Sequence, residues 1–287
     1  MRKHILITGG CGYIGSALTH RMMNEKVVVA DSKLYGQGGH ANYGDIDEIK
    51  DAKQFDVIIH LAAISNQLDC IKDPGKCFEN NLDKTVRLAN QARPDVRFIF
   101  ASSTAIYGDQ QGKHTDQDKL KSTFPYPISK YKAEKELRER LNNLAILRLG
   151  TVWGLSPFMR PHLLVHELVS QAVYEGKILL SHKNTTRPYV HISDVVDLLI
   201  NLIDLDWCGK MDVGTETMTK LELAEKIKKQ TGCKIVDREI NIPTQDFYFK
   251  TPSFYTGNGL HLLDEQDISG LVNYYEIERD HPKYLAD

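Results

Sequence analysis

The 287-residue sequence is 41% hydrophobic and 26% charged, a composition typical of a globular chain that buries a full core. Its 36 basic and 38 acidic residues give a net charge of −2, so no global field favours nucleic acid or an anionic membrane. The length fits one large domain or two coupled ones. Five cysteines without a C-x-x-C pair argue against a disulfide framework and favour a reduced, cytoplasmic setting. We expect no signal peptide and no membrane-spanning segment, because the apolar runs are short.

Short apolar, β-branched runs alternate with longer helical patterns in the first half of the chain. This alternation predicts a parallel sheet covered by helices on both faces. The predicted strands are Ile5–Thr8, Val27–Ala30, Val57–His60, Phe98–Ser102 and Ile146–Thr151. The predicted helices are Ile14–Asn24, Phe78–Ala92, Ser129–Asn142 and Leu163–Glu175.

After Gly154 the pattern becomes less regular. A strand-then-helix pattern returns over Arg187–Ile203, and Thr219–Thr231 has the spacing of an amphipathic helix. The predicted fold is α/β, a Rossmann doubly wound parallel sheet with a smaller, discontinuous C-terminal substrate lobe. We assign residues 1–154 and 186–215 to the dinucleotide-binding core, and residues 155–185 and 216–287 to the lobe. The pattern gives no structure or role to residues 241–287.

A glycine-rich turn follows the first predicted strand. Gly9, Gly12 and Gly15 have the G-x-x-G-x-x-G spacing that allows a tight turn, a close approach to a pyrophosphate and close packing of helix on strand. The second predicted strand ends at Asp31, where a carboxylate can accept hydrogen bonds from ribose hydroxyls and repels a 2′-phosphate. The sequence therefore predicts a dinucleotide site that prefers NAD to NADP.

A second group of residues carries acid–base chemistry. Tyr126 and Lys130 form a Tyr-x-x-x-Lys motif, which places both side chains on one face if a helix begins near Tyr126. A lysine ammonium beside a phenol lowers the pKa of the phenol and favours its use as a base. Ser103, at the end of a predicted strand, has a hydroxyl that could hydrogen-bond the substrate oxygen.

Several motifs, in order, resemble the extended short-chain dehydrogenase/reductase family, in its nucleotide-sugar epimerase and dehydratase branch. The resemblance covers about residues 3–232. The motifs are Thr8–Gly15, Gly44-Asp45-Ile46, His60-Leu61-Ala62-Ala63, Asn81 with Thr85, Ser103, Tyr126 with Lys130, and Arg187–Asp194. One short motif could arise by chance, but the ordered set is specific.

The resemblance implies a role for each residue that matches a motif of the family. Tyr126 would be the general base, Lys130 would tune it and bind the nicotinamide ribose, and Ser103 would polarise the sugar hydroxyl. The implied cofactor-binding residues are Gly9, Gly12, Tyr13, Ile14, Gly15, Asp31, Asp45, Ile46, Leu61, Ala62, Ala63, Asn81, Tyr126 and Lys130. The implied substrate-binding residues are Ser103, Thr151, Arg160, His166 and Arg187. The partner would be a nucleoside-diphosphate sugar, no metal is implied, and helices 78–92 and 129–142 would pair in a homodimer.

Two positions after Ser103 help to choose the reaction. The family's 4,6-dehydratases have an acid/base pair there and its decarboxylases have a glutamate at the second position, whereas this chain has Thr104 and Ala105. What remains is oxidation of a secondary alcohol, which favours an NAD-dependent nucleotide-sugar 4-epimerase. The alternatives are a 4-dehydrogenase or reductase that releases the keto product, and a non-catalytic NAD-binding protein. The short segment between Asp31 and Asp45 predicts that the family's usual third strand is trimmed.

Overall fold

A six-stranded parallel sheet forms the centre of the molecule. The computed structural model describes residues 2–35, 39–108, 120, 122–238 and 263–280. The strands of this sheet are β1 (Ile5–Thr8), β2 (Val27–Ala30), β3 (Val57–His60), β4 (Arg97–Ser103), β5 (Leu144–Leu149) and β9 (Gly209–Val213). They lie side by side in the order β2-β1-β3-β4-β5-β9, and each adjacent pair is parallel. Such strands are apolar throughout because helices cover both faces of the sheet.

Nine α-helices lie among the described residues, and four of them cover the faces of the six-stranded sheet. Their bounds are α1 (Tyr13–Arg21), α2 (Gln67–Lys72), α3 (Pro74–Phe78), α4 (Lys84–Gln91), α5 (Pro125–Arg140), α6 (Leu164–Glu175), α7 (Ile192–Asp204), α8 (Lys220–Thr231) and α9 (Glu265–Asp280). Apolar side chains of α1 and α7 pack on one face of the sheet, and those of α4 and α5 pack on the other. The predicted doubly wound α/β fold is confirmed.

A second core lies outside the six-stranded sheet. It includes a three-stranded sheet of β6 (Thr151–Trp153), β8 (Thr186–His191) and β10 (Glu216–Thr219), and a parallel pair of β7 (Lys177–Leu180) and β11 (Lys234–Asp237). Helices α6, α8 and α9 surround its apolar centre. Helix α9 lies within the stretch 241–287, for which no structure was predicted, while residues 241–262 and 281–287 lie outside the described residues.

The structure divides one predicted strand in two. The predicted strand Ile146–Thr151 is split between β5 and β6, which belong to different sheets. The chain crosses between the sheets at Gly150, where a Cβ atom would lie 2.9 Å from the carbonyl oxygen of Pro188. Close backbone packing therefore requires glycine at the crossing.

The helix predicted over Phe78–Ala92 is interrupted. Helix α3 ends at Phe78, a π-helical turn covers Glu79–Asp83, and α4 follows it. Helix α5 begins at Pro125 instead of Ser129, because proline is well tolerated in the first turn, where its missing N–H is not needed. Strand β2 is the last strand at its edge of the sheet, with an isolated bridge from Ala30 to Tyr43 beside it, as the trimmed third strand predicts.

Among the described residues, no helix combines the length and the apolar character needed to cross a membrane.

Candidate active site

The glycine turn joins the end of β1 to the start of α1. Gly9 has φ +72°, in the left-handed region, and a Cβ atom there would lie 2.7 Å from the backbone nitrogen of Ala62. A Cβ atom at Gly15 would lie 2.0 Å from the carbonyl oxygen of Gly9. Gly12 is the N-cap residue of α1, so Tyr13, Ile14 and Gly15 form the first turn of the helix. The positive end of the helix dipole therefore faces the turn, as a pyrophosphate site requires.

Asp31 lies directly after β2, beside the glycine turn. Its carboxylate accepts hydrogen bonds from the backbone N–H of Cys11 at 2.8 Å and of Lys33 at 2.7 Å. Each carboxylate oxygen has a further lone pair for a ribose hydroxyl. The Lys33 ammonium donates to the carbonyl oxygen of Gly39 at 2.6 Å. Burial and the charge of Asp31 raise the pKa of the Cys11 thiol, which fits a space-filling side chain and not a reactive one.

The Asp31 carboxylate gives a first testable prediction. We expect Asp31→Asn to weaken NAD binding about ten- to hundredfold, because a hydrogen bond to a charged group contributes about 1.5–3 kcal/mol. NADP binding should improve relative to NAD, since the charge that repels the 2′-phosphate is gone. Fluorescence titration with each dinucleotide measures both constants, and Lys33→Ala serves as the matched control in the same loop. Unchanged NAD affinity and an unchanged NAD-to-NADP ratio in Asp31→Asn would contradict the assignment.

Asp45 and Ile46 lie at the start of a 3₁₀ turn. Asp45 accepts hydrogen bonds from Lys84 at 2.5 Å and from the N–H of Asp47 at 3.0 Å. Burial would raise the pKa of Asp45, but the hydrogen bond from Lys84 and the backbone donors outweigh it and lower that pKa. Ile46 is 6% exposed and packs into the core below the sheet. Their predicted contact with the cofactor would therefore be made from a corner of the chain that these contacts hold in place.

Leu61, Ala62 and Ala63 follow β3 and are partly exposed. The N–H of Leu61 donates to the carbonyl oxygen of Thr8 at 3.0 Å, and the N–H of Ala62 lies 3.4 Å from the Thr8 hydroxyl. This segment therefore lies against the glycine turn, where the predicted cofactor cleft requires it.

His60 connects the glycine turn to the interrupted helix. Its Nδ1 lies 2.6 Å from the Thr8 hydroxyl, and its Nε2 lies 2.7 Å from the Thr85 hydroxyl. Because Thr85 donates to the carbonyl oxygen of Asn81 at 2.9 Å, its hydroxyl accepts from Nε2–H, and Nδ1 accepts from Thr8. Burial lowers the pKa of His60 to about 3, so the ring stays neutral near pH 7. Its Nε2–H therefore remains a donor and its Nδ1 remains an acceptor.

Asn81 is fully buried in the π-helical turn, so its side chain offers no surface for the predicted direct contact with a cofactor. Its amide oxygen accepts from the N–H of Ile64 at 2.8 Å, and its amide nitrogen donates to the carbonyl oxygen of Ile64 at 2.9 Å. The same nitrogen donates to the Ser129 hydroxyl at 3.2 Å. Asn81 therefore ties the segment after β3 to helix α5, a role that positions other residues.

Ser103, Tyr126 and Lys130 lie where β4 ends and α5 begins. The Ser103 hydroxyl accepts from the N–H of Ala105 at 3.1 Å, which leaves its own proton for another acceptor. Burial raises the pKa of Tyr126 to about 12, while a hydrogen bond with Ser103 and the charge of Arg160 lower it. We expected Lys130 to lower the pKa of Tyr126, but in the structure Ser103 and Arg160 are the groups that lower it.

Lys130 is 2% exposed. Its ammonium donates to the carbonyl oxygen of Ala101 at 2.8 Å and lies 4.6 Å from the centre of the Phe100 ring. Burial lowers the pKa of Lys130 to about 8, with the charge of Glu134 opposing that effect. The lysine is therefore fixed below the strand that ends in Ser103.

The two residues after Ser103 bring no acid or base from their own side chains. Thr104 is 4% exposed, and its hydroxyl donates to the carbonyl oxygen of Leu149 at 3.2 Å. Ala105 packs against Ile106 and Tyr107.

The predicted substrate residues divide into three groups. Arg160 donates to the Ser65 hydroxyl at 2.5 Å and lies 5.8 Å from the Tyr35 ring, and its charge acts on Tyr126. The structure thus brings Arg160 towards the Ser103–Tyr126 pair. Thr151 and Arg187 lie on β6 and β8 of the three-stranded sheet, in which these two strands pair side by side, and both are partly exposed.

His166 does not fit the predicted contact with substrate, because it is fully buried. Its Nδ1 lies 3.0 Å from the carbonyl oxygen of Arg160 and its Nε2 lies 3.4 Å from the Tyr13 hydroxyl. Burial lowers the pKa of His166 to about 4, so the ring is neutral near pH 7. Since only Nδ1–H can donate to a carbonyl oxygen, the ring holds the backbone of Arg160 in place.

A buried polar cluster below the site was missed by the sequence interpretation. It consists of Ser102, Tyr107, Glu134, Arg148 and Asp212, which are 1–6% exposed. Arg148 donates to both carboxylate oxygens of Glu134, at 2.9 and 2.6 Å, and to the Tyr107 hydroxyl at 2.8 Å. Tyr107 donates to Asp212 at 2.6 Å. A charged residue in the apolar strand Leu144–Leu149 was the signal that could have revealed this cluster, since a buried arginine needs a partner.

Comparison with known proteins agrees with this arrangement. A family model described as the NAD dependent epimerase/dehydratase family matches residues 5–209. The chain is 28% identical over 253 residues to a putative UDP-glucose 4-epimerase of Methanocaldococcus jannaschii, covering 79% of this chain and 82% of that protein. It is 27% identical over 252 residues to UDP-glucuronic acid decarboxylase 1 of Danio rerio, covering 79% of this chain and 60% of that protein.

Similar solved structures include the UDP-glucuronic acid 4-epimerase of Bacillus cereus in complex with UDP-glucuronic acid and NAD. The TM-score is 0.78 at 20% identity, over 95% of this chain and 98% of that one, and this similarity shows the shared fold.

The fold and the site define an NAD-dependent enzyme with a Rossmann core. Because the family match covers well over half of the chain, the protein belongs to the NAD-dependent epimerase/dehydratase family, whose members include nucleotide-sugar epimerases, dehydratases and decarboxylases. Its cofactor is NAD. The tight glycine turn at the start of α1 and the acid after β2 fit this cofactor.

Proposed function

We propose that the protein is an NAD-dependent nucleotide-sugar 4-epimerase. The observation that carries this proposal is the pairing of the Ser103 hydroxyl with Tyr126 at the end of β4, with no acid or base at Thr104 and Ala105 beside it. Such a site can move a hydroxyl proton, but the two positions after Ser103 offer no group for removing a C5 proton or assisting decarboxylation. The putative 4-epimerase among the relatives supports the same reaction.

In the proposed mechanism, Tyr126 takes the proton of the sugar C4 hydroxyl and later returns it. Ser103 hydrogen-bonds the reacting oxygen and the phenol, and the positive charge of Arg160 favours the phenolate. Lys130 would bind the nicotinamide ribose through its ammonium. When bound, NAD supplies the acceptor and donor of the C4 hydride. The turn Gly9–Gly15 would hold its pyrophosphate and Asp31 its adenine ribose.

The remaining residues would bind the sugar nucleotide. Arg187 would pair with the diphosphate, because a guanidinium can bind phosphate oxygens through two parallel hydrogen bonds. Arg160 and Thr151 would line the sugar side, and His166 would hold the backbone of Arg160.

The test is a set of incubations with UDP-glucose, UDP-glucuronic acid and UDP-N-acetylglucosamine, with catalytic amounts of NAD. NMR of the product should show the C4 epimer of one of these sugars and no net NADH. A keto-sugar with stoichiometric NADH would identify the alternative, a 4-dehydrogenase. If none of these sugars changes while NAD remains bound, the proposed 4-epimerase activity on them is wrong.

A homodimer formed through the segments 78–92 and 129–142 stays a prediction. At micromolar concentration, sedimentation velocity should show a species of twice the 32.6 kDa chain mass. A monomer at that concentration would contradict it. The reduced, cytoplasmic setting also stays a prediction.

A further inference from the structure

Glu134 occupies the centre of the buried polar cluster. It lies four residues after Lys130 on α5, so both side chains are on the same face of the helix. Its carboxylate accepts two hydrogen bonds from Arg148 and one, at 2.5 Å, from the Ser102 hydroxyl. Ser102 directly precedes Ser103 in β4. Glu134 therefore contacts the strand end that carries one proposed catalytic residue and shares a helical face with another.

Lys130 is surrounded by groups that carry little charge. It faces the carbonyl oxygen of Ala101, the thiols of Cys70 and Cys77, and the neutral ring of His60. Burial alone would push the pKa of Lys130 well below its ordinary value, and the carboxylate of Glu134 is foremost among the groups that raise it again. That balance leaves the pKa at about 8, just high enough for an ammonium near neutral pH.

Stability alone does not account for the Glu134–Arg148 pair. Both side chains are at most 3% exposed, and well-packed apolar residues in place of such a pair are often as stable or more stable. The hydrogen bond from Ser102 and the position four residues after Lys130 indicate that Glu134 serves the proposed catalytic site.

We propose that Glu134 is a positioning residue that acts through Lys130. Its carboxylate, held by Arg148, keeps the lysine protonated, and its hydrogen bond from Ser102 fixes the end of β4. This inference rests on the proposed catalytic role of Lys130, so its test includes a readout that does not need activity.

The test uses the double variant Glu134→Gln/Arg148→Met. Both charges are removed together, which avoids leaving one buried charge without its partner and so favours folding. Tyr107→Phe is the matched control, because it removes a buried hydroxyl from the same cluster and leaves the charge of Glu134 intact. Circular dichroism is used to check that both variants are folded.

The first readout is the alkaline limb of the pH profile of kcat. In the wild type we expect its midpoint near pH 8, where Lys130 loses its proton. In the double variant the midpoint should move down by at least one pH unit, with kcat at pH 8 reduced about fivefold or more and KM nearly unchanged. Tyr107→Phe should keep the wild-type midpoint.

The second readout is the free energy of unfolding as a function of pH. It is measured for the wild type and each variant, both with Lys130 present and with the added substitution Lys130→Met. Between about pH 8 and the ordinary lysine value of 10.5, the unfolded chain binds a proton that the native lysine has lost, so the native state gains stability with rising pH. This gain should begin at a lower pH in the double variant and at the wild-type pH in Tyr107→Phe.

The outcomes separate the two proposals. A shifted stability curve without any sugar turnover supports the role of Glu134 and contradicts the proposed function. A double variant with an unshifted stability curve, or a Tyr107→Phe variant with an equal shift, overturns the role of Glu134 whatever the activity.

Discussion

Replacing Tyr126 with phenylalanine should lower kcat by about 10²–10⁴-fold, the usual contribution of a positioned acid–base group. The phenylalanine ring keeps the packing against Ile64, Cys70 and Cys77 but has no oxygen to accept the C4 proton. NAD binding should fall far less than kcat, because the glycine turn and Asp31 are unaffected and only the implied contact of the Tyr126 hydroxyl with the cofactor is lost. Initial rates with the preferred sugar nucleotide and a titration with NAD measure the two effects.

Tyr131→Phe is the matched control for this experiment. Tyr131 lies five residues further along α5 and contacts Lys135 and the Ile106–Tyr107 cluster, outside the proposed catalytic group. It should keep a rate within about threefold of the wild type. A Tyr126→Phe variant that retains more than a tenth of wild-type kcat would refute the assignment of Tyr126 as the base.

Replacing Arg148 with methionine should lower the free energy of unfolding by about 3–5 kcal/mol, because it leaves the buried Glu134 carboxylate without its partner. The arginine is 1% exposed and also donates to Tyr107, so its loss disturbs the whole buried polar cluster. Urea unfolding followed by circular dichroism measures the change.

The same measurement on Glu134→Gln/Arg148→Met provides the comparison. Removing both charges should restore most of the lost stability, since apolar or neutral side chains pack well in place of an ion pair. A loss below about 1 kcal/mol in Arg148→Met, or a double variant less stable than the single one, would show that the pair is not coupled as the contacts indicate.

The strands of the core could be predicted well from the sequence. The bounds of β1, β2 and β3 agree with the predicted ones because each is a short apolar run limited by turn residues. The break at Gly150 could not be predicted, since the residues on both sides of it are equally apolar and β-prone. Strands β5 and β6 are separated because Gly150 packs closely against the backbone of Pro188 and Val213, which are distant in sequence.

The interrupted helix shows a second limit of sequence patterns. Apolar spacing between Phe78 and Ala92 fits a continuous helix, yet residues Glu79–Asp83 form a π-helical turn. This turn holds Asn81, whose side chain reaches Ile64 and Ser129. A hydrogen bond between segments distant in sequence leaves no trace in local periodicity.

The site itself was only partly predictable. The motif residues Ser103, Tyr126 and Lys130 could be proposed from the sequence, because their spacing and their place after a strand carry chemical meaning. His166 was placed on the substrate, although burial makes it a support for Arg160. Glu134 was missed, since its importance comes from three-dimensional contacts with Ser102 on β4 and Arg148 on β5.

The most direct test of the proposed epimerase uses a sugar nucleotide carrying deuterium at C4. If the hydride removed from C4 is the one returned to C4 on the other face of the sugar, the epimeric product should keep the deuterium at C4 with no loss to solvent. NMR and mass spectrometry of the product measure this retention. A product with hydrogen at C4, or a 4-ketone that accumulates with deuterated NADH, would contradict the proposal.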